Sequence, residues 1–285
     1  MKKITIGFLG LGLIGGSIAR SIKKKYPDSQ ILVYSRRKNE DLIQGQKDGI
    51  IDSIFYTIDS HFTPCDIIFL CAPVLQNLKF LSILKPILSD SCIITDVGSV
   101  KGNIHKEVEK LSLGTHFIGG HPMAGSEKTG FANSSEDLLK NSYYLLTPCE
   151  ATPKENLAFL QDILSGTGSS FAIVDAATHD DITAAISHVP HIVAASLVNM
   201  VRKNDTPDEL MKVFAAGGFK DITRIASSSP EMWESICLSN AESIHRFLTS
   251  LIDDLIAVRT HIEKKEGEKI HELFSTSRDY RDSID

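Results

Sequence analysis

The segment GLGLIGGS, which begins at Gly10, constrains the fold more than any other part of the chain. Gly10, Gly12 and Gly15 stand in G-x-G-x-x-G spacing, directly after the apolar run KITIGFL and before a helical pattern. In this context the first glycine makes a turn, the second lets the backbone approach a pyrophosphate, and the third lets helix pack on strand. The helix start, with Leu13 and Ile14, offers free N–H groups and a positive dipole end. The segment therefore predicts a dinucleotide-binding site.

Short β-rich runs alternate with helical patterns through the first half of the chain. Continuous apolar runs such as IIFL and IIT are typical of strands buried on both faces, and their alternation with helices predicts a parallel, doubly wound sheet. After about Asp175 the strand patterns stop, and apolar residues such as Ile186, Val189 and Val193 recur at helical spacing. We therefore expect an α/β fold with an N-terminal Rossmann domain over residues 1–175 and an all-helical domain over residues 176–285.

A seven-residue repeat of apolar side chains runs along a long helix predicted near the end of the chain. Its members are Ile244, Leu248, Leu251, Leu255, Val258 and Ile262. A seam of this kind requires a partner helix. That partner lies either in the same chain or in a second copy, and the repeat alone leaves both alternatives open. The polar tail from Ser275 to Asp285 is expected to be loosely held.

Composition and charge argue against several classes of partner. The 285 residues carry a net charge of -6, and the largest basic runs are Lys23–Lys25 and Arg36–Arg37, so nucleic acid is not an expected partner. No apolar run approaches the ~18 residues of a membrane span, and no signal peptide precedes the first strand pattern. The five cysteines form no C-x-x-C pair, and their odd number suits a reducing compartment. We expect a cytoplasmic protein that binds no membrane.

The residues after the predicted second strand bear on which dinucleotide is preferred. An NAD site usually carries a carboxylate about 20 residues after the glycine loop, where it binds the ribose 2′-hydroxyl. Here Ser35 stands at that position, and Arg36 and Arg37 follow it. A guanidinium pairs with a 2′-phosphate in a forked, charge-assisted contact. We predict NADP as the preferred cofactor, with NAD as the alternative, and we expect Ala72 and Pro73, after the strand run IIFLC, to complete the site.

Polar segments at the ends of two further strands place candidate catalytic residues at the same edge of the sheet. GSVK follows CIITDV and GHP follows HFIG, so Ser99 and His121 are expected near a bound nicotinamide. A histidine with a pKa near ~6.5 accepts a proton at neutral pH, and a serine beside it orients the ring and shares a proton with a substrate hydroxyl. Gly119 and Gly120 are expected to allow the close approach of another molecule, and Pro122 to fix the local direction of the chain.

The helical half supplies candidate residues for an acidic substrate. SHVPH places His188 and His191 on either side of a proline that bends a helix. GGFKDITRIA enters a helix and carries Lys220 and Arg224, of which the arginine is suited to clamp a carboxylate. Each feature alone is an ordinary part of a core or surface. Together they predict a pocket between the two domains that receives an acidic substrate.

Five motifs, in this order and at these separations, resemble the prephenate/arogenate dehydrogenase family: GLGLIGG, DVGSVK, GGHPMAGSEKTG, ISHVPH and GGFKDITRIA. The similarity extends over essentially the whole chain. It implies a homodimer formed through the helical domain. It also implies oxidative decarboxylation of prephenate to 4-hydroxyphenylpyruvate, with hydride transfer to NAD(P), in tyrosine biosynthesis. Because loss of CO2 restores aromaticity, no metal and no covalent nucleophile is expected.

The resemblance also assigns roles to individual residues. His121 corresponds to the catalytic histidine that polarises the ring hydroxyl at C4, and Ser99 to a serine that hydrogen-bonds near that hydroxyl and the nicotinamide. Arg224 corresponds to the arginine that binds the substrate carboxylate. The other residues expected at the substrate are His188, Glu127, Ser126 and Lys220. Of these, Glu127 is expected to close the pocket.

Three alternative functions remain open. An arogenate dehydrogenase applies the same mechanism to an amino acid in place of the keto acid, and the predicted NADP-type second strand favours it. A 3-hydroxyacid or imine reductase of similar two-domain build predicts a catalytic lysine, for which Lys220 is the candidate, but it leaves His121 and Ser99 without a role. A non-catalytic NADP-sensing module keeps the glycine loop and has no need for a histidine, a serine and an arginine in one cleft.

Overall fold

An eight-stranded sheet forms the framework of the protein, for which the computed structural model describes residues 3–126 and 128–284. The strands are β1 (Thr5–Leu9), β2 (Gln30–Tyr34), β3 (Ser53–Phe55), β4 (Ile67–Leu70), β5 (Ile93–Asp96), β6 (Phe117–Pro122), β7 (Tyr143–Pro148) and β8 (Ser170–Ile173). Their spatial order is β3-β2-β1-β4-β5-β6-β7-β8. β1 to β6 are mutually parallel, β7 is antiparallel to β6, and β8 is parallel to β7. The first six strands have the order of a Rossmann sheet, which confirms the predicted fold class.

The central strands are buried on both faces, as their continuous apolar runs predict. Every residue of β1, β4 and β5 is buried. Because side chains alternate across a strand, Ile67 and Phe69 join one apolar cluster and Ile68 and Leu70 join the other. The two clusters form the cores on the two faces of the sheet.

Twelve α-helices accompany the sheet in the described part of the chain. They are α1 (Leu13–Lys25), α2 (Glu40–Lys47), α3 (Val74–Leu84), α4 (Gly102–Lys110), α5 (Lys154–Leu164), α6 (Ala176–Thr183), α7 (Val189–Asn204), α8 (Leu210–Val213), α9 (Gly217–Thr223), α10 (Pro230–Ser239), α11 (Ala241–Glu263) and α12 (Gly267–Asp282). The sequence patterns do not predict β3, β8 or α5. β3 has only three residues, and none of the residues of β8 is fully buried, so neither has a long apolar run.

A π-helix, Ala184–His188, joins α6 to α7 in one continuous helical run. Pro190 lies two residues beyond it and has no N–H to donate to the carbonyl of Ile186. A π turn widens the helix where the regular bonding pattern is interrupted, and such turns are frequent at functional sites. By length and composition alone, the run Ala176–Asn204 would also be long enough to cross a membrane, a property that core helices share.

The described chain divides between Asn240 and Ala241 into two compact units. The first contains the sheet and α1 to α10, and the second contains α11 and α12. The last strand ends at Ile173, close to residue 175. The domain boundary at residue 175 stays a prediction. The expectation of a loose tail is wrong, because α12 continues to Asp282. An ion pair between Lys269 and Glu272, one turn apart, supports this polar helix.

Candidate active site

The glycine loop after β1 has the geometry that a pyrophosphate requires. Gly10 has φ +85°, a left-handed conformation that favours glycine. A β-carbon at Gly12 would meet no atom within 4 Å, whereas one at Gly15 would lie 2.9 Å from the Sγ of Cys71. Gly10 therefore makes the turn, Gly12 leaves open space for a ligand, and Gly15 allows α1 to pack closely against Cys71, the residue after β4. α1 begins at Leu13 without a side-chain cap, so its first N–H groups remain available to a phosphate.

The segment after β4 lies beside this loop. The amide nitrogen of Ala72 is 3.4 Å from the position of a β-carbon on Gly10. The same nitrogen donates to the Oδ1 of Asn77 at 3.2 Å, which fixes the turn into α3. Pro73 is the exposed residue immediately before that helix, and Ile14 in α1 is half-buried. Ala72 and Pro73 thus lie at the edge where the cofactor site is expected.

The segment after β2 presents two exposed arginines. Ser35 follows the last residue of β2, and its hydroxyl donates to the carbonyl of Arg37 at 2.7 Å. Arg36 and Arg37 are exposed, and neither forms an ion pair with a carboxylate among the described residues. Both guanidinium groups are therefore available to an anion at this edge of the sheet.

His121 lies near the end of β6 and is bonded to a second histidine that the motifs do not single out. The Nδ1 atom of His121 is 2.9 Å from the Nε2 atom of His179 in α6. The Nδ1 atom of His179 is in turn 2.9 Å from the Oδ1 atom of Asp180. His179 is completely buried and Asp180 is 7% exposed, while His121 is half-buried. The three side chains form a linear chain of hydrogen bonds that ends at the sheet edge.

Backbone amides at the start of α4 hold the Asp180 carboxylate. The amide of Lys101 donates to Oδ1 at 2.7 Å, and the amide of Gly102 donates to Oδ2 at 2.8 Å. Together the two bonds hold both oxygens of the side chain in place. Lys101 itself is completely buried, where its ammonium pairs with Asp96 and donates to the carbonyl of Gly120 at 2.8 Å. The loop after β5 is thereby tied to α6 and to β6.

The histidines of this cluster are neutral at physiological pH. Burial holds the pKa of His121 well below its usual value, and the nearby His179, Lys101 and His188 lower it further. Burial also lowers the pKa of His179, although the hydrogen bond and charge of Asp180 oppose this. A neutral imidazole has one nitrogen with a lone pair. His121 is therefore suited to accept a proton from a hydroxyl group.

The glycines before His121 make room for the protein's own backbone and side-chain atoms instead of for a ligand. A β-carbon at Gly119 would lie 2.2 Å from the Oγ1 of Thr147, and one at Gly120 would lie 2.6 Å from the carbonyl oxygen of Asp96. Neither glycine has a positive φ. The interpretation that this pair clears space for another molecule is therefore wrong. The pair lets β6 fit between the loop after β5 and β7.

His188 lies in the π-helix and is only 1% exposed. Its Nδ1 atom is 3.2 Å from the Nδ2 atom of Asn240, which also donates to the carbonyl of Asp180 at 2.8 Å. Its Nε2 atom is buried and lacks a hydrogen-bond partner of good geometry among the described residues. Burial lowers the pKa of His188 to about 4, and the nearby backbone of Ser99 opposes this shift slightly. Ser99, half-buried after β5, and His188 are thus neighbours, as the predicted site requires.

Arg224 lies close enough to His191, the second histidine of SHVPH, to act on it electrostatically. The exposed guanidinium of Arg224 lowers the pKa of His191, an effect smaller than that of burial. The His191 ring stacks on Trp233, with ring centroids 4.0 Å apart. Ser126 and Lys220 are exposed, and no described contact joins either side chain to this group or to His121. Glu127 lies outside the described residues.

No sequence motif singles out His179, Asp180 or Trp233. The only local signal for the first two is an adjacent His-Asp pair in the first helix after the last strand, and such a pair is common in surface helices. Their importance depends on contacts with residues 58 and 79 positions away in the chain. Trp233 is the only tryptophan of the chain, which is a weak signal for a ligand-binding ring.

Comparisons with known proteins place both halves of the chain in one family. Residues 18–173 match the nucleotide-binding domain of prephenate dehydrogenase, and residues 175–276 match its dimerization domain. Prephenate dehydrogenase of Bacillus subtilis (strain 168) is 40% identical over 284 residues, which covers 99% of this chain and 76% of that protein. The crystal structure of A. aeolicus prephenate dehydrogenase in complex with hydroxyphenyl propionate and NAD+ has a TM-score of 0.92 at 32% identity, covering 100% of this chain and 99% of that one. The crystal structure of Synechocystis arogenate dehydrogenase has a TM-score of 0.85 at 31% identity, covering 99% of this chain and 100% of that one.

Proposed function

The chain belongs to the prephenate dehydrogenase family, and we propose that it converts prephenate to 4-hydroxyphenylpyruvate and CO2 with hydride transfer to NADP or NAD, a step of tyrosine biosynthesis. The single observation that carries this proposal is His121, a neutral imidazole held at the sheet edge by His179. This is the edge where the glycine loop lies and where ligands of such sheets bind.

The residues of the glycine loop fit a dinucleotide. Gly10, Gly12 and Gly15, with Leu13 and Ile14 at the start of α1, would hold the pyrophosphate against free N–H groups. When bound, the oxidised nicotinamide supplies the acceptor for the hydride that leaves C4 of the substrate ring.

His121 would accept the proton of the substrate's C4 hydroxyl and later return it. As C4 loses a hydride, the oxygen becomes carbonyl-like, and its proton passes to the free imidazole nitrogen. Loss of CO2 from C1, the ring carbon para to C4, returns an electron pair to the ring and produces a phenolate. His121 then gives the proton back to that oxygen. The products are the neutral phenol, CO2 and the reduced cofactor, so protons balance without a metal or a covalent nucleophile.

The remaining predicted residues would bind and orient the substrate. Arg224 would pair with a substrate carboxylate, and the stacked rings of His191 and Trp233 would lie beside it. Ser99 and His188 would contact the substrate hydroxyl region from the loop after β5 and from the π-helix. We retain Ser126, Lys220 and Glu127 as proposed substrate contacts on the basis of the family resemblance.

The direct test is to incubate the full-length protein with prephenate, and separately with arogenate, in the presence of each cofactor. We expect absorbance of the reduced nicotinamide to appear with prephenate. The variant His121→Asn should lower turnover by ~10²-fold or more, as expected for loss of a general base, and should leave cofactor affinity unchanged. Turnover that survives this change would refute the mechanism.

Arogenate is the second candidate substrate. The structural neighbour from Synechocystis is an arogenate dehydrogenase, and this chain aligns with 100% of its length. The two substrates differ by one amino group in place of a keto oxygen. Steady-state rates on both, measured with the same cofactor, discriminate between them.

We further propose NADP as the preferred cofactor. The support is the serine at residue 35 and the exposed Arg36 and Arg37 after β2. In the double variant Arg36→Ala/Arg37→Ala, kcat/KM with NADP should fall by ~10-fold or more, in line with one lost charge-assisted contact, while kcat/KM with NAD stays nearly constant. Lys38→Ala is the matched control, because Lys38 is exposed in the same segment and pairs with Glu40. A wild-type preference for NAD would contradict the proposal.

A homodimer in the cytoplasm is the proposed state of the protein. The match to a dimerization domain supports it, as do exposed apolar side chains on the seam of α11, of which Leu255 is 57% and Ile262 is 59% exposed. An exposed apolar seam is stabilised when a partner helix covers it. Sedimentation equilibrium at micromolar concentration should give twice the 31.3 kDa of one chain. A monomer at that concentration would contradict the proposed dimer.

A further inference from the structure

We propose that Asp180, acting through His179, fixes the proton of His121 on Nδ1 and so leaves His121 Nε2 as the basic nitrogen that faces the substrate. His179 and Asp180 are thus positioning residues. The inference rests on the proposed function for its consequence in turnover, but the tautomer itself is a property of the protein alone.

The direction of each hydrogen bond follows from the carboxylate. Asp180 Oδ1 is an acceptor and already receives the Lys101 amide at 2.7 Å, so the His179 nitrogen 2.9 Å away must donate to it. A neutral His179 that carries its proton on Nδ1 presents a lone pair at Nε2. The His121 nitrogen 2.9 Å from that lone pair must then donate as well. His121 consequently carries its proton on Nδ1.

Neutrality of both rings is required for this assignment, and the surroundings provide it. Burial lowers the pKa of both histidines, and Lys101 lowers each further. Asp180 and Asp96 act in the opposite sense on His179. The remaining titratable neighbour is His188, which is itself neutral at pH 7 because its pKa is lowered to about 4.

The same hydrogen bonds hold the His121 and His179 rings in place during the proton transfer. When Nε2 of His121 takes a proton, the resulting imidazolium donates from Nδ1 to His179, whose own N–H points at an anion. Because Nδ1 of His121 already donates to His179 before the transfer, neither ring has to rotate when Nε2 takes the proton. Two backbone amides keep that carboxylate in place, so the arrangement does not depend on a mobile side chain.

The decisive measurement is a long-range ¹H–¹⁵N correlation spectrum of the full-length protein labelled in its histidines, recorded at neutral pH without ligand. Assignment uses the variants His121→Asn and His179→Gln. We expect His121 and His179 both to show a protonated Nδ1 and an unprotonated Nε2. A protonated Nε2 on His121 in the wild type would overturn the proposal, whether or not the protein turns over prephenate.

Turnover supplies the second readout. His179→Leu removes the acceptor, so kcat should fall by at least ~10-fold, as expected when an orienting partner of a catalytic histidine is lost, while KM and cofactor affinity change little. His179→Gln keeps an oxygen acceptor and should recover part of the loss. His105→Leu is the control, because His105 is another half-buried histidine and it bonds Thr147, not His121. Unchanged kcat in folded His179→Leu would overturn the proposal, whereas a wild type inactive on both substrates would refute the proposed function alone.

Discussion

The amide nitrogen of Gly102 lies 2.8 Å from the Oδ2 atom of Asp180 and joins the loop after β5 to the first helix beyond the sheet. This approach is possible only because residue 102 has no side chain, since a β-carbon there would also lie 2.8 Å from that oxygen. The carboxylate that supports His179 is therefore positioned by a glycine that carries no chemistry of its own.

We predict that Gly102→Ala lowers kcat by ~10-fold or more, because a displacement of about 1 Å in a catalytic group is costly. Asp180 must shift to avoid the added methyl group, and His179 and His121 shift with it. The control is Gly267→Ala, since a β-carbon at that helix start would meet nothing within 4 Å. Steady-state kinetics on both variants check the prediction. Equal kcat values would contradict it.

The buried ion pair between Lys101 and Asp96 should be sensitive to the loss of one partner. Lys101→Met leaves the Asp96 carboxylate buried without its cation, and we expect the free energy of unfolding to fall by ~3–5 kcal/mol. Lys110→Met, which breaks an exposed pair with Glu107, should change it by less than ~1 kcal/mol. Urea denaturation of the two variants measures the difference. A similar small effect at both sites would show that the buried pair is dispensable.

Two glycines of the same loop should respond differently to a side chain. Gly12→Ala adds a methyl group to open space, so stability should hold while affinity for the dinucleotide falls by ~10-fold or more. Gly15→Ala places a β-carbon 2.9 Å from the Sγ of Cys71, so the melting temperature should fall as for an overpacked core. Calorimetric titration with cofactor and thermal unfolding separate the two effects. Loss of stability in Gly12→Ala would contradict this assignment.

Stability should depend on pH through the buried histidines. The pKa of His188 is lowered to about 4 in the folded protein, whereas an unfolded chain has a histidine pKa of ~6.5. Between these values the unfolded state binds more protons, so the free energy of unfolding rises with pH, by up to ~1.4 kcal/mol per pH unit for one such group. His121 and His179 are shifted in the same direction and add to the slope. Urea midpoints at about pH 5 and about pH 7 test this, and equal midpoints would refute it.

The parallel sheet follows from alternation of apolar runs with helical patterns, and the glycine loop follows from local spacing. Both depend on residues close together in the chain, which is why they are readable without a structure. The ends of the same sheet were less predictable. β3 and β8 are short and only partly buried. The direction of β7, antiparallel to β6, leaves no periodic pattern in the sequence.

The order of residues along the chain is enough to place a dinucleotide loop, a histidine after one strand and a serine after another at one edge of a sheet, because parallel strands end at a common edge. The surroundings of that histidine are known only from the folded chain. His179 and Asp180 come from a helix more than fifty residues beyond it, and the glycines at 119 and 120 serve the packing of β6. Such contacts join distant residues through space, and no local spacing or periodicity encodes which side chains will touch.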